Sequence, residues 1–378
     1  MQIISVASGK GGVGKSLISA NLAIALAKAG KTVVVADMDL GASNLHLALG
    51  FPSAKIGMGT FLTGQSKFEE IIQQTDYENV YFIPGDSEIP GLSSIKASQK
   101  NSIIRRFKNL DTDYLILDLG AGTHLSILDF FLMSPQGIIV TSPTVTATLN
   151  GYLFLKNTVF RLMQNSFKRG SKAANILTDL KKDSTSLQRL YIPKLAEKIR
   201  QIDPENAQVF YDQMEQFQPR LIMNMIDEPT DADKAYKIRR SCREYLGLDL
   251  EFLGVIYKDS LQDVALSSRL PITVYKPQSL LSQAIFRIAD KILVSETKSF
   301  NDSIMTSDES FQTAEAEALE DFENKMSYIE DLLGTGALSM SDLAETIKSQ
   351  QYEITQLRKE NLLYKSKLIK AASQGFKI

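Results

Sequence analysis

The chain of 378 residues is 44% hydrophobic with a formal charge of −2, which is enough apolar material for a substantial core and more than one simple domain. That charge lends no support to a polyanion binder, the single cysteine, Cys242, excludes an intramolecular disulfide, and no apolar run approaches the ~20 residues that span a bilayer. Met1 leads into an apolar strand without the basic, apolar and small-residue pattern of a signal peptide, so a cytoplasmic protein is expected.

The first element is a strand, ISVAS (4–8), with Ile3, Ile4 and Val6 as its apolar residues. It runs into GKGGVGKS at residues 9–16, after which Leu17, Ile18, Leu22, Ile24 and Leu26 recur at helical spacing. Strand, glycine-rich turn and helix form the context that a phosphate-binding loop requires. Gly9, Gly11, Gly12 and Gly14 free the backbone to turn successive N–H groups toward phosphate oxygens, and the helix N-terminus adds partial positive charge. The nucleotide-binding stretch is therefore Gly9, Lys10, Gly11, Gly12, Val13, Gly14, Lys15, Ser16 and Leu17. Lys15 is expected along the β- and γ-phosphates, and the Ser16 hydroxyl in a Mg²⁺ shell.

Further strands read as short continuous apolar runs: TVVVAD (32–37), VYFIPG (80–85), YLILD (114–118), GIIVTSP (137–143), RLIMNM (220–225), EFLGVIY (251–257) and ITVY (272–275). Most alternate with helical patterns, so the expected fold class is α/β, a doubly wound and mostly parallel sheet that binds ligands at the carboxyl ends of its strands. The phosphate loop, Asp37 and Asp118 all fall at such ends. The gap between the fifth and sixth strands exceeds what one crossover helix needs. A helical insertion is expected over about 166–218, with Asp203 and Pro204 as an N-cap and first-turn pair.

Past residue 298 the composition shifts. Residues 301–345 hold twelve acidic side chains and one basic, whereas 346–378 hold seven basic and two acidic. This divides the chain into a sheet domain (1–298), an acidic, solvated linker with short helices (299–338) and a heptad helix (339–374). Met340, Ile347, Ile354, Asn361 and Leu368 occupy a positions, and Leu343, Gln350, Leu357, Tyr364 and Ala371 occupy d positions. A parallel pair would match Glu353 with Arg358 and Glu360 with Lys365, with Asn361 fixing the register. A helix docked on the body or on another protein is the alternative.

GKGGVGKS resembles the deviant Walker A motif of the MinD/ParA family of P-loop ATPases, and the resemblance runs from residue 1 to about 295. DMDLGASNLHLALG (37–50) is similar to the segment after the second strand in the MinD and FlhG branch and lacks the DxDPQ of ParA proper. YLILDLGAG (114–122) is similar to a Walker B strand. The resemblance implies ATP and Mg²⁺ as ligands and a nucleotide-dependent homodimer in which Lys10 reaches the partner's phosphates. It implies catalytic roles for Lys10, Lys15 and Asp39, with Asp39 orienting the attacking water, and places Ser16, Asp37, Asp39 and Asp118 around the metal. Asn224 resembles the family's adenine-recognising amide. GVIYKD (254–259) is similar to the family's GVIPxD turn, but Tyr257 and Lys258 replace the proline, which leaves base binding by Asp259 open. With one cysteine, the iron–sulfur relatives are disfavoured.

The expected function is a slow ATPase acting as a dimeric switch that positions or counts a cell structure, a division site or a flagellum. Its expected partners are a second copy, which the heptad helix would tether if it pairs in parallel, and an unidentified protein. Leu362, Leu363 and Ile369 beside Lys365, Lys367 and Lys370 offer peripheral contact with the inner face of the membrane. The alternative is a DNA-associated partitioning ATPase, suggested by the row Lys234, Lys237, Arg239, Arg240 and Arg243. A solvated basic face is the preferred reading of that row, and DNA is the disfavoured partner.

Overall fold

A computed structural model describes residues 1–85, 95–182, 191–297 and 307–334, together with Lys348, Gln351, Thr355, Leu357 and Tyr364. The chain divides into two compact units, Met1–Glu320 and Asp321–Ile378. In the second unit, most of the heptad (339–374) and the whole of 365–378 lie outside the described residues. Of the d positions, Leu357 and Tyr364 are described, and both are exposed.

In the first unit, eight strands form one sheet: β1 (Gln2–Ala7), β2 (Val33–Met38), β3 (Gln73–Gln74), β4 (Val80–Ile83), β5 (Tyr114–Leu119), β6 (Ile138–Thr141), β7 (Arg220–Ile226) and β8 (Glu251–Tyr257). Their order is β3-β4-β2-β5-β1-β6-β7-β8. Every neighbouring pair is parallel except β3 with β4. β2 and β5 are buried along their whole length because helices cover both faces, which is why these strands read as unbroken apolar runs. On one face, Ile18, Leu22 and Leu26 of the helix Lys15–Lys28 meet Ile116 and the helix Leu280–Thr297 through Ile285, Ile288 and Ile292. On the other, Phe131 sits edge-on to Phe154 and Phe217.

One expectation about strands needs correction, and one short strand carried no signal. ITVY (272–275) is a single helical turn, Ile272–Tyr275. Its β-branched residues favour a strand, but Pro271 starts the turn and the buried Asn21 side chain accepts both the Thr273 N–H (3.0 Å) and the Thr273 hydroxyl (2.8 Å). The eighth strand is instead the two-residue β3, too short for a hydrophobic pattern to announce it.

The insertion contains the helices Lys172–Lys182, Ile192–Ile202 and Pro204–Gln216. Asp203 caps the last of these and also accepts the Ala173 N–H at 3.1 Å, so one carboxylate joins the first and last of these described helices.

The acidic stretch differs from the solvated linker expected of it. Ser307–Gly334 is one helix, and its portion up to Glu320, here called the strap, packs along the edge strand β8. Phe311, Ala314 and Ala318 are fully buried. The Phe311 ring meets Phe252 (5.0 Å) and Tyr236 (4.9 Å) with Arg239 stacked over it, and the Ser310 hydroxyl accepts the Phe252 N–H at 3.1 Å. The strap's acidic residues serve as partners: Asp308 pairs with Arg239 at 2.7 Å and Glu317 with Lys291 at 2.7 Å. Charge counting read solvation because the few apolar residues fall on one face among many acidic ones. Replacing Phe311 by alanine should lower the unfolding free energy by about 3–5 kcal/mol, read from urea denaturation of the full chain, whereas a solvated linker would show no change.

The same packing settles most of the basic row. Arg239 is buried and paired with Asp249 (2.9 Å), Arg243 pairs with Asp249 (2.6 Å), and Lys234 pairs with Asp231 (2.6 Å). Those three side chains neutralise the protein's own carboxylates. Cys242, in the same segment, is fully buried, and burial pushes its thiol well above the ordinary range, so it acts as a small apolar residue.

Candidate functional site

β1 ends at Ala7, and the loop that follows turns into the helix Lys15–Lys28 with Gly14 as its N-cap. The glycines do different work. Gly12 (φ 78°) and Gly14 (φ 91°) occupy left-handed backbone that side chains rarely adopt. Gly9 is needed for space, because a β-carbon there would lie 1.9 Å from the Asn150 carbonyl oxygen on the long helix Val145–Ser166. At Gly12 a β-carbon would meet nothing within 4 Å, so the loop's mouth stays open.

The loop is braced from several sides. The Ser8 hydroxyl donates to the Lys10 carbonyl at 2.6 Å, and the Gly122 N–H donates to Ser8 O at 3.3 Å, tying the loop to the turn after β5. Asn224, buried at the end of β7, donates its amide to the Val13 carbonyl at 2.8 Å, and its nitrogen would lie 2.2 Å from a β-carbon on Gly14. Asn224 thus stands against the loop backbone. Asp259 accepts the Leu261 N–H at 2.9 Å and closes its own turn.

Lys15 is 8% exposed, and Ser16 follows it on the first helical turn. Leu17 is half-buried against the core. The Ser19 hydroxyl donates to Asp118 Oδ1 at 3.1 Å. Asp118 and Asp37 are register partners on adjacent strands, and both are buried. Burial raises the carboxyl pKa of each. For Asp118 the neighbouring Asp37 charge raises it further, against the Ser16 hydrogen bond and the Lys15 charge. For Asp37 the Ser43 hydroxyl (2.5 Å) and the N–H groups of Leu45 (3.1 Å) and Asp39 (3.0 Å) oppose the rise. The Asp39 carboxylate sits over Gly120, where a β-carbon would come within 3.1 Å, so the segments after β2 and β5 meet there. Asn44 bonds only locally, donating to Ala42 O at 2.9 Å.

Lys10 lies apart from this cradle. It is exposed, and its ammonium donates to the Thr146 hydroxyl at 3.1 Å, on the first turn of the helix Val145–Ser166 of the same chain. Sequence reasoning missed Thr146, Asn150, Ser43 and Ser19. Ser43 and Ser19 sit within segments already marked by motifs, but Thr146 and Asn150 carry no signal, since only the fold brings that helix beside the loop.

These residues fit a magnesium nucleotide. The open, glycine-lined mouth admits phosphates beside a buried lysine. Two buried carboxylates crowded together gain from a nearby cation, and Ser16 supplies a neutral oxygen donor. Among the described residues no cluster of three or more His, Cys, Asp or Glu could hold a metal alone.

Parallel sheet, glycine loop, buried lysine and paired aspartates define a P-loop nucleotide-binding protein. Residues 1–170 match the family model of an AAA domain. The chain is 28% identical over 299 residues to the flagellum site-determining protein YlxH of Helicobacter pylori, covering 78% of this chain and 82% of that one. It is 33% identical over 148 residues to the septum site-determining protein MinD of Synechocystis, covering 39% of this chain and only 55% of MinD. The solved MinC:MinD cell division complex of Aquifex aeolicus superposes with a TM-score of 0.52 at 19% identity, over 80% of this chain and 99% of that one, and shares its fold. In these comparisons the chain is similar to the MinD/ParA class of P-loop ATPases, on its MinD and flagellum-site side. ATP and Mg²⁺ are the ligands of that class. No helix among the described residues is long and apolar enough to cross a membrane.

Proposed function

We propose that this chain hydrolyses ATP slowly and uses nucleotide state to switch between single and paired forms, regulating the placement or number of a cell structure, a division site or a flagellum. The observation that carries the reading is the position of Lys10, which is exposed and parked on Thr146, outside the cradle its own Lys15 serves. A lysine so placed is free to reach the phosphates of a second copy.

In this reading the loop N–H groups and Lys15 hold the phosphates, and Ser16, Asp37 and Asp118 hold the hydrated metal. Bound Mg²⁺ neutralises charge on the phosphate oxygens. Asp39, lying over Gly120, orients the water and links the two flanking segments. Lys10 of each copy neutralises charge in the other's site, as an arginine finger does. Asn224, already fixed to the loop, presents its remaining amide capacity to the base. Turnover is slow because positioning and charge neutralisation, completed only in the pair, supply nearly all the catalysis.

The flagellar and septal relatives support the cellular role, and the MinC:MinD complex supports a protein partner. The protein acts in the cytoplasm, with peripheral contact at the inner face of the membrane. The DNA-partitioning alternative is weakened because Arg239, Arg243 and Lys234 are spent on internal ion pairs. Light scattering tests the switch: MgATP with Asp39→Ala protein should double the scattering mass, and EDTA should return it to the starting value. A mass indifferent to nucleotide would overturn the reading, and ATP-dependent, salt-sensitive binding to duplex DNA would restore the alternative.

A further inference from the structure

We infer that the strap (307–320) positions the phosphate loop through Tyr257 and the bulge in β7, an inference that rests on the loop being a nucleotide site. Tyr257, the residue standing where the family turn has proline, is buried at the end of β8, and its hydroxyl donates to the Ala318 carbonyl at 2.8 Å. Its backbone is paired with Ile226 after a register shift in β7 between Asn224 and Ile226, and the Lys258 N–H closes the shift on Ile226 O at 3.0 Å. The residue expelled from the ladder, Met225, is held at φ 60°, a conformation that persists in a non-glycine residue only where its surroundings over-determine it. One position earlier, Asn224 grips Val13 O and fills the space beside Gly14.

The strap end of this path is as firmly held as the loop end. Phe311 is fully buried, Ser310 takes the Phe252 N–H, and Lys291 joins Glu317 (2.7 Å) to the Leu253 carbonyl (2.8 Å). A contiguous series of bonds therefore runs from helix to strand end, bulge and glycine loop. Docking of the strap and occupation of the loop favour one another, and coupling between two sites is reciprocal. Tyr257 is a positioning residue in this arrangement, because its hydroxyl faces the strap and its backbone is paired to β7, which carries Asn224 against the loop.

The test uses the full chain. In wild-type protein, amides of Ser310 to Ala318 should exchange more slowly once MgATP is bound. In Tyr257→Phe, which keeps the ring and removes one donor, the dissociation constant for a fluorescent ATP analogue and the KM for ATP should rise about threefold to tenfold, with kcat changing less than KM. The nucleotide-induced protection of the strap should disappear as well. A purely structural hydroxyl would lower the melting temperature without moving the binding constant. The inference is overturned if wild type binds MgATP while strap exchange stays unchanged, or if Tyr257→Phe loosens the strap yet binds nucleotide as tightly as wild type. Absence of binding in wild type would instead remove the nucleotide reading itself, so the wild-type titration separates the two failures.

Discussion

Lys10→Ala protein should bind MgATP within about threefold of wild type and hydrolyse it about 10³-fold more slowly, the scale of a charge-neutralising finger acting in trans. The binding term follows from geometry. Lys15, the glycines and Asp118 are untouched, and the Lys10 ammonium donates to Thr146 on the long helix. The rate term follows from where charge develops, since a cation delivered only in the paired state is missing only from the transition state. Mixing separates the trans mechanism from a local one. Lys15→Ala protein has a defective cradle but an intact Lys10, so an equimolar mixture with Lys10→Ala protein should regain activity that neither has alone. Each mixed pair then holds one site with a sound cradle and a borrowed lysine. Wild-type turnover by Lys10→Ala alone, or a mixture no more active than its parts, would remove the trans lysine from the mechanism.

Much of this site is legible because its chemistry is local. The loop, Ser16 and Lys15 lie within eight consecutive residues, and β2 and β5 each carry an aspartate one residue before their end, which the parallel sheet brings side by side. Register alone pairs Asp37 with Asp118. What the sequence could not display is contact between distant segments of ordinary composition. Gly9 is indispensable because of Asn150, more than 140 positions away, and nothing around Asn150 marks it. ITVY has strand composition but lies beside Asn21, whose side chain holds a helical turn. The acidic stretch reads as solvated until its partners, Arg239 and Lys291, are seen to come from the sheet domain. In each case tertiary neighbours override a correct local preference.

Asp118→Asn should raise the stability of the nucleotide-free protein and, if the aspartate pair holds the metal as proposed, cripple its function, because two crowded buried carboxylates are costly without a cation. Asp118 is buried beside Asp37, and both carboxyl groups are held above their ordinary range, chiefly by burial. A raised folded-state pKa in an acid means that the native form holds protons the unfolded chain has released. The penalty is therefore absent below the unfolded value near ~4, grows as pH rises, and is complete above the folded value. Asparagine removes one of the two crowded charges and can still bond to Ser19, so melting of the free protein should move upward by about 2–4 °C per kcal/mol regained. The gain should be largest at slightly alkaline pH and vanish toward about pH 4. With MgATP the order reverses: wild type gains stability from the ligand, while the variant loses about 10- to 100-fold in metal-dependent affinity or turnover. Calorimetry across pH, with and without MgATP, reads both effects. A variant that melts lower than wild type at every pH would show that Asp118 is held as a structural hydrogen-bond acceptor, and that its carboxylate is not a charge waiting for a cation.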